Sequence, residues 1–260
     1  MSNIDKSSKS FVAEAAIISV SNFAVKLVGV LFKIPLANQL GEFMGVFNAA
    51  YSIYAMLFMI STSGLPVAVS RLVAIAKEKG RRAESLQIFR TCALTFGAIG
   101  FICSLAMFIG ADYICEITAH PGAELPMRVI SPTLFIICIT ASIRGYFQGL
   151  RKMVPTAVSN FIEAVLKLIL GLGGAAFAAS RGWSGPVQAA FAVSGISIGV
   201  IIGTVYLAIT FYLSRNANIP DTDRTVSRRS VIARMPFALL SPLHLPAPLC
   251  IFPRFLIPWL

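Results

Sequence analysis

The sequence is poor in charge, in histidine and in tryptophan, and each shortage removes a class of function. Charged residues make up 13% of the 260, only 11 are acidic, and there are 2 histidines and 2 tryptophans. His120 and His244 stand isolated, so a metal centre has no ligand cluster to rest on. The 5 cysteines, Cys92, Cys103, Cys115, Cys138 and Cys250, form no CxxC pair and no ligand spacing. That removes the zinc and redox readings; Cys103 and Cys138 read instead as small, buried apolar residues. No nucleophile–base pair and no phosphate-cradling glycine loop is found. The chain reads as a non-enzyme with no resident cofactor.

Apolar residues fill the gap. They make up 57% of the chain, and several runs reach the roughly 20 residues that cross a hydrocarbon core. Spanning segments must satisfy their own backbone polar groups, so the expected class is an all-α integral membrane protein. The net charge of +11 invites a nucleic-acid reading. Lys and Arg fall, however, in short clusters between apolar runs, the distribution of topology signals rather than of a phosphate-binding face. No nucleic-acid partner is expected. Residues 1–10 are polar, with Lys6 and Lys9, and the run from Phe11 is too long for a signal-peptide core.

Six spans can be laid out: residues 11–34, 44–60, 91–110, 129–143, 155–178 and 187–213. Pro35 and the Gly41-Glu42 loop are expected to end the first. The second continues toward residue 70 through Gly64 and Pro66, which break the hydrogen-bond ladder and predict a kink or unwound turn. Asn48, Tyr51 and Tyr54 read as the interfacial start of that span, the tyrosines as belt residues. Ser131-Pro132 predicts another kink. Residues 71–90, 144–152 and 214–234 are basic connections, and residues 111–126 carry acids without Lys or Arg until Arg128. Positive residues mark the cytoplasmic side. An even number of crossings with both termini on that side is the consistent threading: six helices, N-in and C-in, forming one lobe over residues 11–213. Residues 214–234 then form a basic cytoplasmic linker. Residues 235–260 hold Pro236, Pro242, Pro246, Pro248, Pro253 and Pro258, too dense for a membrane helix, and read as an irregular tail, with a truncated or frame-shifted end as one explanation.

Two spans carry polar stripes. Along the first, Ser19, Asn22, Lys26, Gly29 and Lys33 step by three or four and share a face, with Val20, Phe23, Val28 and Leu31 opposite. Lys26 lies some 22 Å from the entry side at helical rise. A lone ammonium at that depth costs about 3 kcal/mol, so Lys26 either faces a polar cavity or snorkels to the far interface. Along the fifth, Thr156, Asn160, Glu163, Lys167, Gly171 and Gly174 repeat the pattern. Glu163 and Lys167 either neutralise each other within one helix or, with the Lys26 face and Arg144 at the mouth, line one cationic cavity. Phosphate or pyrophosphate groups suit such a cavity; Glu163 is also a candidate for proton or sodium coupling.

Three motifs carry a resemblance. They are residues 40–54 (LGEFMGVFNAAYSIY), residues 61–74 (STSGLPVAVSRLVA), and residues 144–150 (RGYFQGL) followed by 155–163 (PTAVSNFIE). In this order they resemble the polysaccharide-biosynthesis branch of the multidrug/oligosaccharidyl-lipid/polysaccharide (MATE-like) exporter superfamily. Within it they are similar to the stage V sporulation protein B-like and lipid II flippase-like group. The resemblance covers residues 11–234. It implies a V-shaped helical bundle in the cytoplasmic membrane that moves a lipid-linked, anionic sugar precursor by alternating access. It also implies that Lys26, Arg144, Glu163 and Lys167 border the cavity; Asn22 and Asn160 join them as cavity candidates from the two polar stripes, and Gly64 and Pro66 are the hinge or kink candidates from the broken ladder. Such proteins carry a second six-helix lobe, so one lobe alone implies pairing with a second copy or partner, or an inactive fragment. A cation-coupled multidrug exporter of the same superfamily is the competing function.

Overall fold

The computed structural model describes residues 2–62 and 64–215. The expected linker beyond residue 215 and the proline-rich tail at 235–260 lie outside the described residues. Among those described the chain is all helix: α1 (Ser2–Leu40), a 3-10 turn (Gly41–Phe43), α2 (Met44–Thr62), α3 (Leu65–Glu78), α4 (Arg82–Ile109), α5 (Ala111–Thr118), α6 (Glu124–Gly149), α7 (Val154–Ser180) and α8 (Gly185–Arg215). Five stretches are long and apolar enough to cross a bilayer: Ala16–Met59, Ala83–Ile109, Glu124–Gly149, Val154–Ser180 and Gly185–Ser214. The first holds 44 residues and turns back on itself. Phe32 and Phe47 have ring centroids 6.1 Å apart, where a straight helix would separate them by about 22 Å. The chain is a multi-pass membrane protein.

α6 is the axis of the fold, packing against α2, α3, α4, α5, α7 and α8. Its first half, with Met127, Ile130 and Leu134, enters one apolar core shared with α1, α2, α5 and the α7–α8 turn region. Its second half, with Ile143, Tyr146 and Phe147, enters another shared with α3, the start of α4 and the end of α8. Connections gather accordingly. At one end a Cβ on Gly122 would stand 2.8 Å from Pro186 Cγ, and one on Gly185 would overlap the Phe43 ring. At the other end Lys77 Nζ donates to Leu150 O at 2.8 Å, and Phe211 of α8 lies 4.6 Å from Phe89 of α4 and 5.1 Å from Tyr146 of α6.

Prolines explain several boundaries. Pro66 falls in the first turn of α3 and Pro155 in the first turn of α7, where a missing N–H costs nothing. Between α2 and α3, Gly64 takes a left-handed conformation, φ 81°, which a side chain would disfavour. α6 runs unbroken past Pro132, and Ser131 Oγ donates to Arg128 O at 2.9 Å, the carbonyl that the proline leaves without its helical partner. Three expectations are corrected. α1 continues through Pro35 to Leu40. Residues 144–149 are not a loop but the last turns of α6: Gly145 and Gly149 face α3, and a Cβ would come within 2.9 Å of Pro66 O or 2.7 Å of Ser70 O. Polar, glycine-rich sequence here marks close helix contact. Tyr54 is not a belt residue; it is buried between Tyr51 and Phe58 in a ladder of rings along α2.

Candidate functional site

α7 is held so tightly to α8 that its polar face has a fixed direction. Gly195, Gly199 and Gly203 form a four-residue glycine repeat on α8. A Cβ on Gly195 would fall 2.2 Å from Gly171 N, and one on Gly199 2.9 Å from Glu163 O. Ser159 Oγ donates across the same seam to Gly203 O at 3.3 Å. Such small-residue spacing lets membrane helices meet backbone to backbone. The opposite flank of α7 meets α1, where Ser21 Oγ donates to Ala157 O at 3.0 Å and Phe32 lies against Gly171.

Between α1, α6 and α7 lies a cavity of about 280 Å³. Arg144, Asn160, Glu163 and Lys167 form its polar side, and Val25, Val28 and Gly29 its α1 wall. Arg144 Nη2 donates to Glu163 Oε2 at 2.8 Å, with the two side chains 18% and 24% exposed, and reaches Ser159 Oγ at 3.4 Å. Arg144 Nε and Thr156 Oγ1 are buried with no hydrogen-bond partner among the described residues. Lys167 does not pair with Glu163. Its Nζ stands 4.9 Å from the centroid of Phe32 and 5.1 Å from that of Tyr51, within cation–π range. The acid and base one turn apart on α7 thus look to different helices: the acid to α6, the base to α1 and α2.

The pocket therefore brings together four of the residues singled out from the sequence. Asn22 and Lys26 are not among its lining; both are exposed on α1, beside Ser19 and Lys33. Of that stripe only Gly29 reaches the cavity; Ser21, Val25, Val28 and Phe32 are turned toward α7, and Lys26 lies about 100° around the helix from Val25. Gly64 and Pro66 stand outside the pocket, but the Pro66 carbonyl packs on Gly145, the neighbour of Arg144. Sequence reasoning missed Ser159, Phe32 and Tyr51 as pocket supports. Only the glycine repeat of α8 had a visible signal, its spacing. Among the described residues no group of three metal-ligating side chains occurs.

Comparison with known proteins adds the following. The profile of a family described as polysaccharide biosynthesis protein matches residues 11–239. The lipid II flippase MurJ of Bacillus subtilis (strain 168) is 26% identical over 226 residues, which cover 81% of this chain and 41% of MurJ. Stage V sporulation protein B of the same organism is 27% identical over 164 residues, 62% of this chain and 32% of that protein. A crystal structure of MATE in complex with MaD3S superposes with a TM-score of 0.71 at 15% identity, covering 90% of this chain and 53% of that one, so the fold is MATE-like. The chain spans about two fifths of MurJ and about half of the MATE chain.

Proposed function

The chain belongs to the polysaccharide biosynthesis protein family, and from that premise we propose that it is a translocase rather than an enzyme. Its cargo is a lipid-linked oligosaccharide or peptidoglycan precursor, carried across the cell membrane. The observation that carries this reading is the charged pocket of α1, α6 and α7. Two cations, Arg144 and Lys167, meet one carboxylate, Glu163, inside a helix bundle of a membrane protein. Ionisable groups at such depth are costly to insert and are typically kept for a substrate or ion path. Basic side chains are the usual partners of phosphoryl oxygens, and the relatives include a protein named as a lipid II flippase.

The same reading sets the topology. With α1 and α2 counted as separate passes, six helices cross the bilayer and both ends lie in the cytoplasm. The basic connections around Lys77 and Leu150 meet at one end of the lobe, which supports that sidedness. The exposed stripe of Asn22 and Lys26 faces a water-filled space beside the pocket, and a second lobe, from another copy or another chain, closes that space. Two repeats rocking about a shared site are the usual basis of alternating access. An arriving anion competes with Glu163 for Arg144, and a proton or sodium ion taken up by the released carboxylate couples the cycle. Gly64 and Pro66 serve as the hinge.

The test is translocation of a fluorescent polyprenyl-pyrophosphate sugar in membranes of cells that make the protein. Lys26→Ala with Lys167→Ala is expected to reduce the rate to that of membranes without the protein. An unchanged rate rejects the reading.

A further inference from the structure

We infer that Lys167 sets the sign of charge that the pocket accepts, by occupying an aromatic cation site that would otherwise be open. The inference rests on the pocket being the substrate-facing site, and adds to it a specificity determinant and a latent second ligand class.

Phe32 on α1 and Tyr51 on α2 present ring faces to one point, and the Lys167 ammonium occupies it at 4.9 Å and 5.1 Å from their centroids. The rings are held in place. Phe32 abuts Gly171, where a Cβ would fall 2.7 Å from its Cε2. Tyr51 is stacked on Phe47 at 5.8 Å with planes 7° apart. Neither ring is part of the cavity lining, whereas Lys167 is, so the lysine side chain stands between the cavity and the two rings. Two aromatic faces converging on a cation are the recognition chemistry of quaternary ammonium groups. Here the cation is tethered to α7.

The consequence for ligands follows from charge. Arg144 and Lys167 against Glu163 leave one positive charge in excess within the lining, and the volume of about 280 Å³ admits a phosphate-sized group but not a whole lipid-linked sugar. Arg144 Nε is buried without a protein partner, so a small turn of the guanidinium would gain a hydrogen bond from an acceptor oxygen in the cavity. An anion gains both cations. An organic cation meets an excess positive charge and finds the ring faces taken. Without the ammonium the lining becomes neutral, the rings open onto the cavity, and Glu163 remains as the negative pole. The pocket's preference then inverts.

The experiment is equilibrium binding to the purified protein in detergent, with inorganic phosphate and tetramethylammonium as separate probes, for the natural protein, Lys167→Met and Lys167→Arg. The natural protein and Lys167→Arg bind phosphate and show no saturable tetramethylammonium binding. Lys167→Met loses phosphate binding and acquires saturable tetramethylammonium binding, at least about tenfold tighter than the weakest binding the assay detects, the scale of two desolvated cation–π contacts. Adding Tyr51→Leu to Lys167→Met removes that gain, which ties it to the ring faces rather than to altered folding. Tetramethylammonium binding by the natural protein, or no gain in a folded Lys167→Met variant, overturns the proposal. Because the readout is binding and not transport, failure of the translocation assay with a successful inversion here would reject the flippase reading and leave the role of Lys167 standing.

Discussion

Replacing Glu163 by Gln removes one half of an ion pair whose members sit 18% and 24% exposed at 2.8 Å. At an effective dielectric of about 20 the bare attraction at that separation is roughly 6 kcal/mol, most of it offset by the desolvation of both groups. What remains visible to mutation is the penalty of stranding a charge, about 3–5 kcal/mol for a fully buried pair. The residual exposure and the contact of Arg144 with Ser159 at 3.4 Å bring the expected loss to about 2–3 kcal/mol. Arg144→Met is expected to cost somewhat less, because a lone carboxylate can shed its charge by binding a proton and a guanidinium cannot. The double variant is expected to lie within about 1 kcal/mol of the natural protein, since removing both charges strands neither. A double-mutant cycle should then return an interaction of about 3 kcal/mol. The assay is reversible unfolding in mixed detergent followed by circular dichroism at fixed ionic strength. Additive losses, with the double variant as poor as the sum of its parents, would show that the pair does not lock α6 to α7.

Four other outcomes follow from particular positions. Gly195→Ala places a methyl 2.2 Å from Gly171 N and is expected to abolish folded yield in size-exclusion chromatography. Gly173→Ala meets nothing within 4 Å and is expected to stabilise by about 0.5–1 kcal/mol through helix propensity. Asp112→Asn breaks a pair with Arg128 that is 62% and 45% exposed, so the unfolding free energy, read by chemical denaturation, should fall by no more than about 1 kcal/mol. Cys115, on the short α5 outside the spans, is buried, and burial pushes its thiol above the usual range. The reactive thiolate is therefore scarce at neutral pH. Maleimide labelling read by mass spectrometry should leave Cys115 unmodified at pH 7 in the native protein, and modify it after denaturation.

The helices were legible because apolar runs of membrane length are a strong signal, and Arg144, Asn160, Glu163 and Lys167 were legible because charge and amide are rare inside such runs. Their partnerships were not. Glu163 and Lys167 stand one turn apart in sequence, yet the acid pairs with Arg144, 19 residues away on another helix, and the base with rings on α1 and α2. Periodicity shows that a face exists without showing what it faces. The stripe of Lys26 reads as facing the same cavity as α7, and of its residues Gly29 lines the pocket while Asn22 and Lys26 do not. Residues 144–149 read as part of a basic connection for a related reason. Hydropathy weighs glycine and arginine as polar, whereas packing uses glycine for the absence of its side chain, as Gly145 and Gly149 do against α3.

The glycine repeat of α8 has a mechanical consequence. Backbone pressed on backbone is stiff, because where Gly195 meets Gly171 no side-chain torsion lies between the helices to absorb a displacement. α7 and α8 therefore act as one beam, and whatever strain a ligand introduces into the pocket passes to the compliant joint, the α1–α7 contact of Ser21, Val25, Val28 and Phe32. A spectroscopic distance between α7 and α8 is expected to stay constant when a ligand enters the pocket, while one between α1 and α7 is expected to change.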